Sequence, residues 1–150
     1  MARMSHHVIE ASAHSSASRD AVWALVRDID TWQDWGTWSS TTIQTPAQGD
    51  DPQGVGAVRR LRQAPITNLE RVVEIVPGER LGYELVSGLP FENYRAAVNL
   101  SDAADGGTDI NWRAEFDVKA KVRGGISRRL LERFYPDIVQ RLARGAEQTT

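Results

Sequence analysis

Residues Thr108–Lys119 read TDINWRAEFDVK, and from Ile126 to about Glu147 the chain reads ISRRLLERFYPDIVQRLARGAE. The first stretch has period two. Ile110, Trp112, Ala114, Phe116 and Val118 share one face, and Asn111, Arg113, Glu115 and Asp117 share the other. Alternation of this kind belongs to an antiparallel sheet with one buried and one wet face. The second stretch has the helical period: Ile126, Leu130, Phe134, Ile138 and Leu142 step by four, joined by Leu131, Tyr135 and Val139. Arg128, Arg129, Arg133, Arg141 and Arg144 fill much of its other side. This predicts an amphipathic helix of about six turns. Gly124-Gly125 is read as a break before it, and Pro136 as a kink near its middle, because proline removes a donor and crowds the preceding turn.

Working upstream, Tyr94, Ala96, Val98 and Leu100 repeat the alternation within Glu92–Ser101. Arg80–Ser87, Thr67–Val76 and Val55–Gln63 are further strands, with a polar Ser40–Thr45 and a first strand at His7–Ala13. The separators are Ala64-Pro65, Pro77-Gly78, Gly88-Leu89-Pro90 and Asp105-Gly106-Gly107. They are too short for a parallel crossover, so successive strands pair antiparallel. After the first strand, Ser18 is a candidate N-cap, Asp20 sits in a first turn, and Val22, Leu25, Val26 and Ile29 recur at helical spacing. Asp30 is read as the cap of a second short helix through Trp35, the two helices meeting as a V. The fold class is α+β: one domain over residues 1–150, with a six- or seven-stranded antiparallel sheet wrapped around a long C-terminal helix.

Composition narrows the function classes. At 150 residues, 41% hydrophobic and 25% charged, the chain suits one globular core, and its net charge of −2 gives no general drive toward nucleic acid or an anionic membrane. With no cysteine there is no disulfide, thiolate catalysis or cysteine-based metal site. The start lacks a signal-peptide stretch, and no run approaches the roughly 20 apolar residues of a membrane span. A cytoplasmic protein without stable membrane insertion is expected. His6, His7 and His14 lie near the first strand without a second ligand set, so no metal and no cofactor are expected. The glycine-rich Gly49–Gly56 loop lacks the Lys-Ser/Thr of a phosphate cradle. Ser15 and Ser16 beside His14 lack the turn of a nucleophile elbow.

Several local signatures resemble the START-like helix-grip superfamily (SRPBCC), which includes polyketide cyclases/dehydrases, lipid-transport proteins and pollen-allergen-type proteins. Ala17-Ser18-Arg19-Asp20-Ala21-Val22-Trp23 looks like the entry to its first helix, and Asp30 with Trp32 and Trp35 like its second. Gly54-Val55-Gly56-Ala57-Val58-Arg59 looks like its glycine-rich loop and third strand. Ser87-Gly88-Leu89-Pro90 with Tyr94, and Gly107-Thr108 with Trp112, resemble its later strands. The match spans roughly residues 8 to 146. Ser18 stands where the family commonly has proline, and a serine cap does similar work. The resemblance implies a hydrophobic cavity between sheet and last helix.

Residues that could serve such a cavity follow from the periodicities. Trp32, Trp35 and Trp38 fall within seven residues and form a core plug, a cavity wall or both at once. In the strand after Gly56, a register with Ala57, Arg59 and Leu61 inward buries one guanidinium rather than two. A two-residue turn at Ala64-Pro65 then sets Arg59 opposite Glu70. Both an inward anchor pair and an ordinary pair on the wet face remain open. Tyr83 and Tyr94 are polar handles among apolar neighbours, while Ala96 and Ala114 are small residues expected to leave room at the centre. The expected ligand-binding set is Trp35, Trp38, Arg59, Leu61, Tyr83, Leu85, Tyr94, Ala96, Val98, Trp112, Ala114, Phe116, Leu130, Phe134 and Ile138. Its mouth is placed at the end holding Ala64-Pro65, Gly88–Pro90 and the start of the last helix. The first functional reading is binding or transport of a small hydrophobic or aromatic molecule or lipid. The alternatives are a cyclase/dehydratase, with Arg59 polarising a carbonyl and Glu70 or Tyr83 moving a proton, and a module whose groove receives a protein partner.

Overall fold

The switch from a first strand to helix is made at Ser18, whose extended backbone lets its hydroxyl accept from the Ala21 amide at 3.2 Å. Helix α1 runs Arg19–Arg27 and buries Val22, Leu25 and Val26. Asp28 then leaves helical conformation, and its carboxylate accepts from the Asp30 amide at 3.0 Å to start a 3-10 turn over Ile29–Thr31. That turn runs straight into α2, Trp32–Trp35, whose N-cap Thr31 makes no side-chain cap bond. The second cap is therefore Asp28 and not Asp30. Only Asp28, at the corner of the V, has the extended backbone a cap needs.

In this computed structural model, residues 4–119 and 124–149 are described. The strands are β1 (Met4–Ser15), β2 (Ser40–Thr45), β3 (Val58–Gln63), β4 (Ile66–Val76), β5 (Arg80–Ser87), β6 (Glu92–Asp102) and β7 (Thr108–Lys119). They form one seven-stranded antiparallel sheet in the order β1-β7-β6-β5-β4-β3-β2. The helices α1 and α2 carry the chain from one sheet edge to the other. Register shifts in the β2–β3, β4–β5 and β6–β7 pairs mark bulges, which bend strands and curve the sheet.

The last helix, α3, spans Gly124–Gln148 and continues through Pro136. Gly124 and Gly125 belong to its first turn instead of breaking the chain before it. A glycine costs a helix only about 1 kcal/mol relative to alanine, which a helix of this length absorbs. Residues 120–123, part of the connection expected before this helix, lie outside the described ones. The apolar stripe of α3 is not uniformly covered. Tyr135, Ile138, Val139, Leu142, Ala143 and Ala146 are buried, whereas Leu131 and Phe134 are partly buried and Leu130 is 56% exposed. The second half of the helix is thus seated in the core, with α3 packed on β1, β7, α1 and α2.

One close approach fixes that seat. A Cβ at Gly145 would lie 2.8 Å from Trp35 Cβ and 3.6 Å from Leu25 Cδ1. Alanine in a helix gains up to about 1 kcal/mol over glycine, but overpacking a closed contact costs about 1–3 kcal/mol. Gly145→Ala is therefore expected to destabilise, lowering the urea midpoint at an unchanged slope. A raised midpoint would mean that this contact yields freely.

Candidate functional site

The two-residue connection at Ala64-Pro65 pairs Gln63 with Ile66, and counting back along the hairpin sets Leu61 opposite Asn68 and Arg59 opposite Glu70. The inward face of β3 carries Ala57, Arg59 and Leu61, all buried. Glu70 and Val72 on β4 are buried with them. Arg59 and Glu70 are 2% and 7% exposed, and Arg59 Nη2 donates to Glu70 Oε1 at 3.0 Å. The guanidinium carbon lies 4.5 Å from the centre of the Trp32 ring and 5.1 Å from that of Tyr83, so two aromatic faces add cation–π attraction. Burial pushes the Glu70 carboxyl above the usual carboxylate range, although the Arg59 charge pulls the other way. The pair is single-pronged, with Arg59 Nε left without a partner, so the attraction falls short of the desolvation.

Three phenols gather beside this pair. Trp112 Nε1 donates to the Tyr83 hydroxyl at 3.1 Å, and the Tyr94 and Tyr135 hydroxyls hydrogen-bond to each other. Burial pushes all three phenols above their ordinary range, so they stay protonated and neutral.

Next to them opens a pocket of about 510 Å³. Its sheet side is Leu61 and Gln63 of β3, Ile66, Asn68 and Glu70 of β4, Tyr83 of β5 and Tyr94 of β6. Trp32, Thr37 and Trp38 close one flank, Leu130, Leu131, Arg133 and Phe134 come from the less covered half of α3, and Tyr135 and Asp137 from its middle. Ala64, Pro65 and Leu89 complete it, so the wall reaches the loop end where the mouth was expected.

Of the expected ligand-binding set, Trp38, Leu61, Tyr83, Tyr94, Leu130 and Phe134 lie on this wall, as does Glu70. Trp35, Arg59, Leu85, Ala96, Val98, Trp112, Ala114, Phe116 and Ile138 do not. Arg59 sits behind Glu70 between two rings. Trp35 packs on Trp32, Trp38 and Trp112, so the tryptophan cluster is a plug whose inner members also face the pocket. Ala96 and Ala114 face each other across β6 and β7, both buried, and neither is on the wall of this pocket. Tyr135 reaches both Tyr94 and Trp112, the neighbours of the two alanines on β6 and β7. The empty volume is displaced toward β3–β5. Phe134 meets Trp38, at 5.8 Å between ring centres.

Trp32 is on the wall, as the cavity-wall reading of its cluster allows, and the pocket residues that sequence reasoning passed over include Asn68 and Tyr135. Asn68 was within reach, because the register that sets Arg59 against Glu70 also sets Asn68 against inward Leu61. Tyr135 lay on the helix stripe, but nothing local tells which stripe residue crosses to the sheet. Among the described residues, no group of His, Cys, Asp or Glu is arranged to hold a metal ion, and no helix is long and apolar enough to cross a membrane. His14, within 2.9 Å of Asp105 and 3.2 Å of Asp109, is an exposed surface ion pair.

Residues 6–147 match the family model for polyketide cyclase / dehydrase and lipid transport. The chain belongs to this family. A START superfamily protein from Mycobacterium smegmatis has a similar structure, with a TM-score of 0.78 at 17% identity over 96% of this chain and 99% of that one. XoxI from Bacillus cereus gives 0.72 at 18% identity over 94% of both chains. Ara h 8.0201 gives 0.68 at 17% identity, over 96% of this chain and 99% of that one. At these identities the likeness is one of fold, and it is the helix-grip fold of the START-like class. No curated protein sequence matches the chain. Family members share this sheet-and-helix frame; what each one holds is decided by its own side chains.

Proposed function

We propose that this protein binds or carries a small hydrophobic or aromatic molecule, or a lipid, in the pocket between β3–β6 and the first half of α3. The observation that carries the reading is the pocket itself. Its volume of about 510 Å³ lies within the range of about 300–1,000 Å³ typical of small-molecule sites. Its wall is largely aromatic and aliphatic, with a few buried polar groups gathered at the Glu70 end. Membership of a family described by polyketide chemistry and lipid transport supports the same reading.

The test is a blocked pocket. Leu131 lines the wall and is only partly buried, so Leu131→Trp adds bulk where the helix stands off from the sheet. Wild-type protein is expected to bind the neutral fluorescent probe N-phenyl-1-naphthylamine at one site. The variant should lose about tenfold or more in affinity, roughly 1.4 kcal/mol, while keeping its unfolding midpoint. Equal probe affinity in the two proteins would contradict the reading.

Catalysis in the same pocket is a second reading, favoured by one observation: a carboxyl held above its ordinary range lines a pocket beside neutral phenols. On this reading Glu70 moves the proton. Arg59 lies off the wall, so it acts by holding Glu70 and does not polarise a substrate carbonyl.

A further inference from the structure

We propose that the pocket selects guests that are uncharged and carry a hydroxyl donor, phenols above all, and that it turns away carboxylates such as fatty acids. This rests on the reading of the pocket as a ligand site and adds the chemistry of its ligand. The selecting groups are Glu70 and Asn68. They stand two residues apart on β4, so both face inward, and both line the pocket.

Glu70 receives one hydrogen bond, from Arg59 to Oε1, and among the described residues no other donor reaches the carboxylate. Asn68 Oδ1 is buried without a partner, and the Thr37 hydroxyl, also without one, can donate or accept. The phenols near them are partly engaged: Tyr94 and Tyr135 bond to each other and Tyr83 accepts the Trp112 N–H, which leaves at least one phenol proton able to donate. The Glu70 carboxylate and Asn68 Oδ1 are thus acceptors in want of donors on the pocket wall, and a buried acceptor left unsatisfied disfavours any guest that cannot reach it. A hydroxyl supplies the missing donor.

A carboxylate offers no donor to Glu70 or Asn68 and sets a second negative charge against Glu70, so donors such as the Thr37 hydroxyl do not compensate it. The nearest cation cannot offset this, because Arg59 is off the wall, bonded to Glu70 and covered by Trp32 and Tyr83. Arg133 is on the rim, but it is exposed and Asp137 shares the wall one turn later, so an ion pair there contributes little.

Three probes with one ring system test this by displacement of N-phenyl-1-naphthylamine from the wild-type protein at neutral pH: naphthalene, 2-naphthol and 2-naphthoate. The expected order has 2-naphthol about tenfold tighter than naphthalene, with 2-naphthoate weakest. In Glu70→Gln the charge is gone while Arg59 remains, so 2-naphthoate should gain severalfold and the advantage of 2-naphthol should shrink. Asn68→Leu should also narrow the gap between 2-naphthol and naphthalene, and it leaves the buried ion pair intact should Glu70→Gln fail to fold. A 2-naphthol no tighter than naphthalene, or a 2-naphthoate as tight as 2-naphthol, overturns the inference alone. Failure of every probe to bind, N-phenyl-1-naphthylamine included, overturns the ligand-site reading with it.

Discussion

Arg59→Met is expected to lower the stability of the protein by about 3–5 kcal/mol, the cost of breaking a buried pair and leaving its partner uncompensated. Methionine matches the length of the arginine stem, so the loss is electrostatic. Glu70, 7% exposed, would keep its burial and lose its only hydrogen-bond donor among the described residues. The guanidinium also leaves the faces of Trp32 and Tyr83. Replacing both members by apolar residues, Arg59→Met with Glu70→Leu, should recover most of the loss, because the desolvation penalty disappears with the charge. The pH dependence has a defined sign. Burial already raises the Glu70 carboxyl, and without Arg59 nothing opposes it, so its folded value rises further. An acid raised on folding binds extra protons when folded, so its contribution is full below the ordinary glutamate value and is lost as pH rises through the folded value. The unfolding midpoint of Arg59→Met should therefore climb, relative to wild type, as pH falls from neutral toward about 4.3. A single variant as stable as wild type, with no such climb, would mean that Glu70 is solvated and the pair is no anchor.

Trp32→Ala is expected to be equally damaging, at about 3–5 kcal/mol for a fully buried tryptophan. Trp32 is 1% exposed, and its ring centre lies between 5.2 and 5.5 Å from those of Trp35, Trp38 and Trp112. Its indole N–H donates to the Leu25 and Val26 carbonyls at 3.1 and 3.2 Å, tying α2 to the end of α1 where those carbonyls lack helical partners. Trp32→Phe separates the two contributions: it keeps most of the ring and removes the donor, and should cost about 1–3 kcal/mol. Chemical denaturation measures both. The Trp32 and Arg59 effects should not add, since each group is the other's stacking partner. An alanine variant within 1 kcal/mol of wild type, about a fivefold change in the folding equilibrium, would mean that the cluster repacks around the gap.

Most of the frame was legible because its signals are local. Arg80–Ser87 and Thr108–Lys119 have the bounds that alternation and turn residues imply, and the β3–β4 register follows from the length of one turn. The features that escaped depend on how elements sit against one another. Asp28 and Asp30 both precede the second helix, and which one caps is settled by where the V bends. Leu130 has the spacing of a buried residue and is 56% exposed, because only the second half of α3 is seated, at Gly145 against Trp35. Ala96 and Ala114 argue for space at the centre of the sheet. The pocket lies instead toward β3–β5, with Tyr135 crossing from the helix to Tyr94 and Trp112. Long side chains on two distant elements decide that, and no window of sequence holds both.

The central claim is that a guest enters between the first half of α3 and β3–β5, and a titration of methyl-labelled protein with naphthalene, followed by NMR, tests it directly. The account expects saturable shifts at Leu61, Ile66, Leu130 and Leu131, all on the pocket wall, with Val73 and Val86 on the exposed sheet surface unmoved. Shifts centred on Val73 and Val86, or no saturable shift at any methyl, would contradict it.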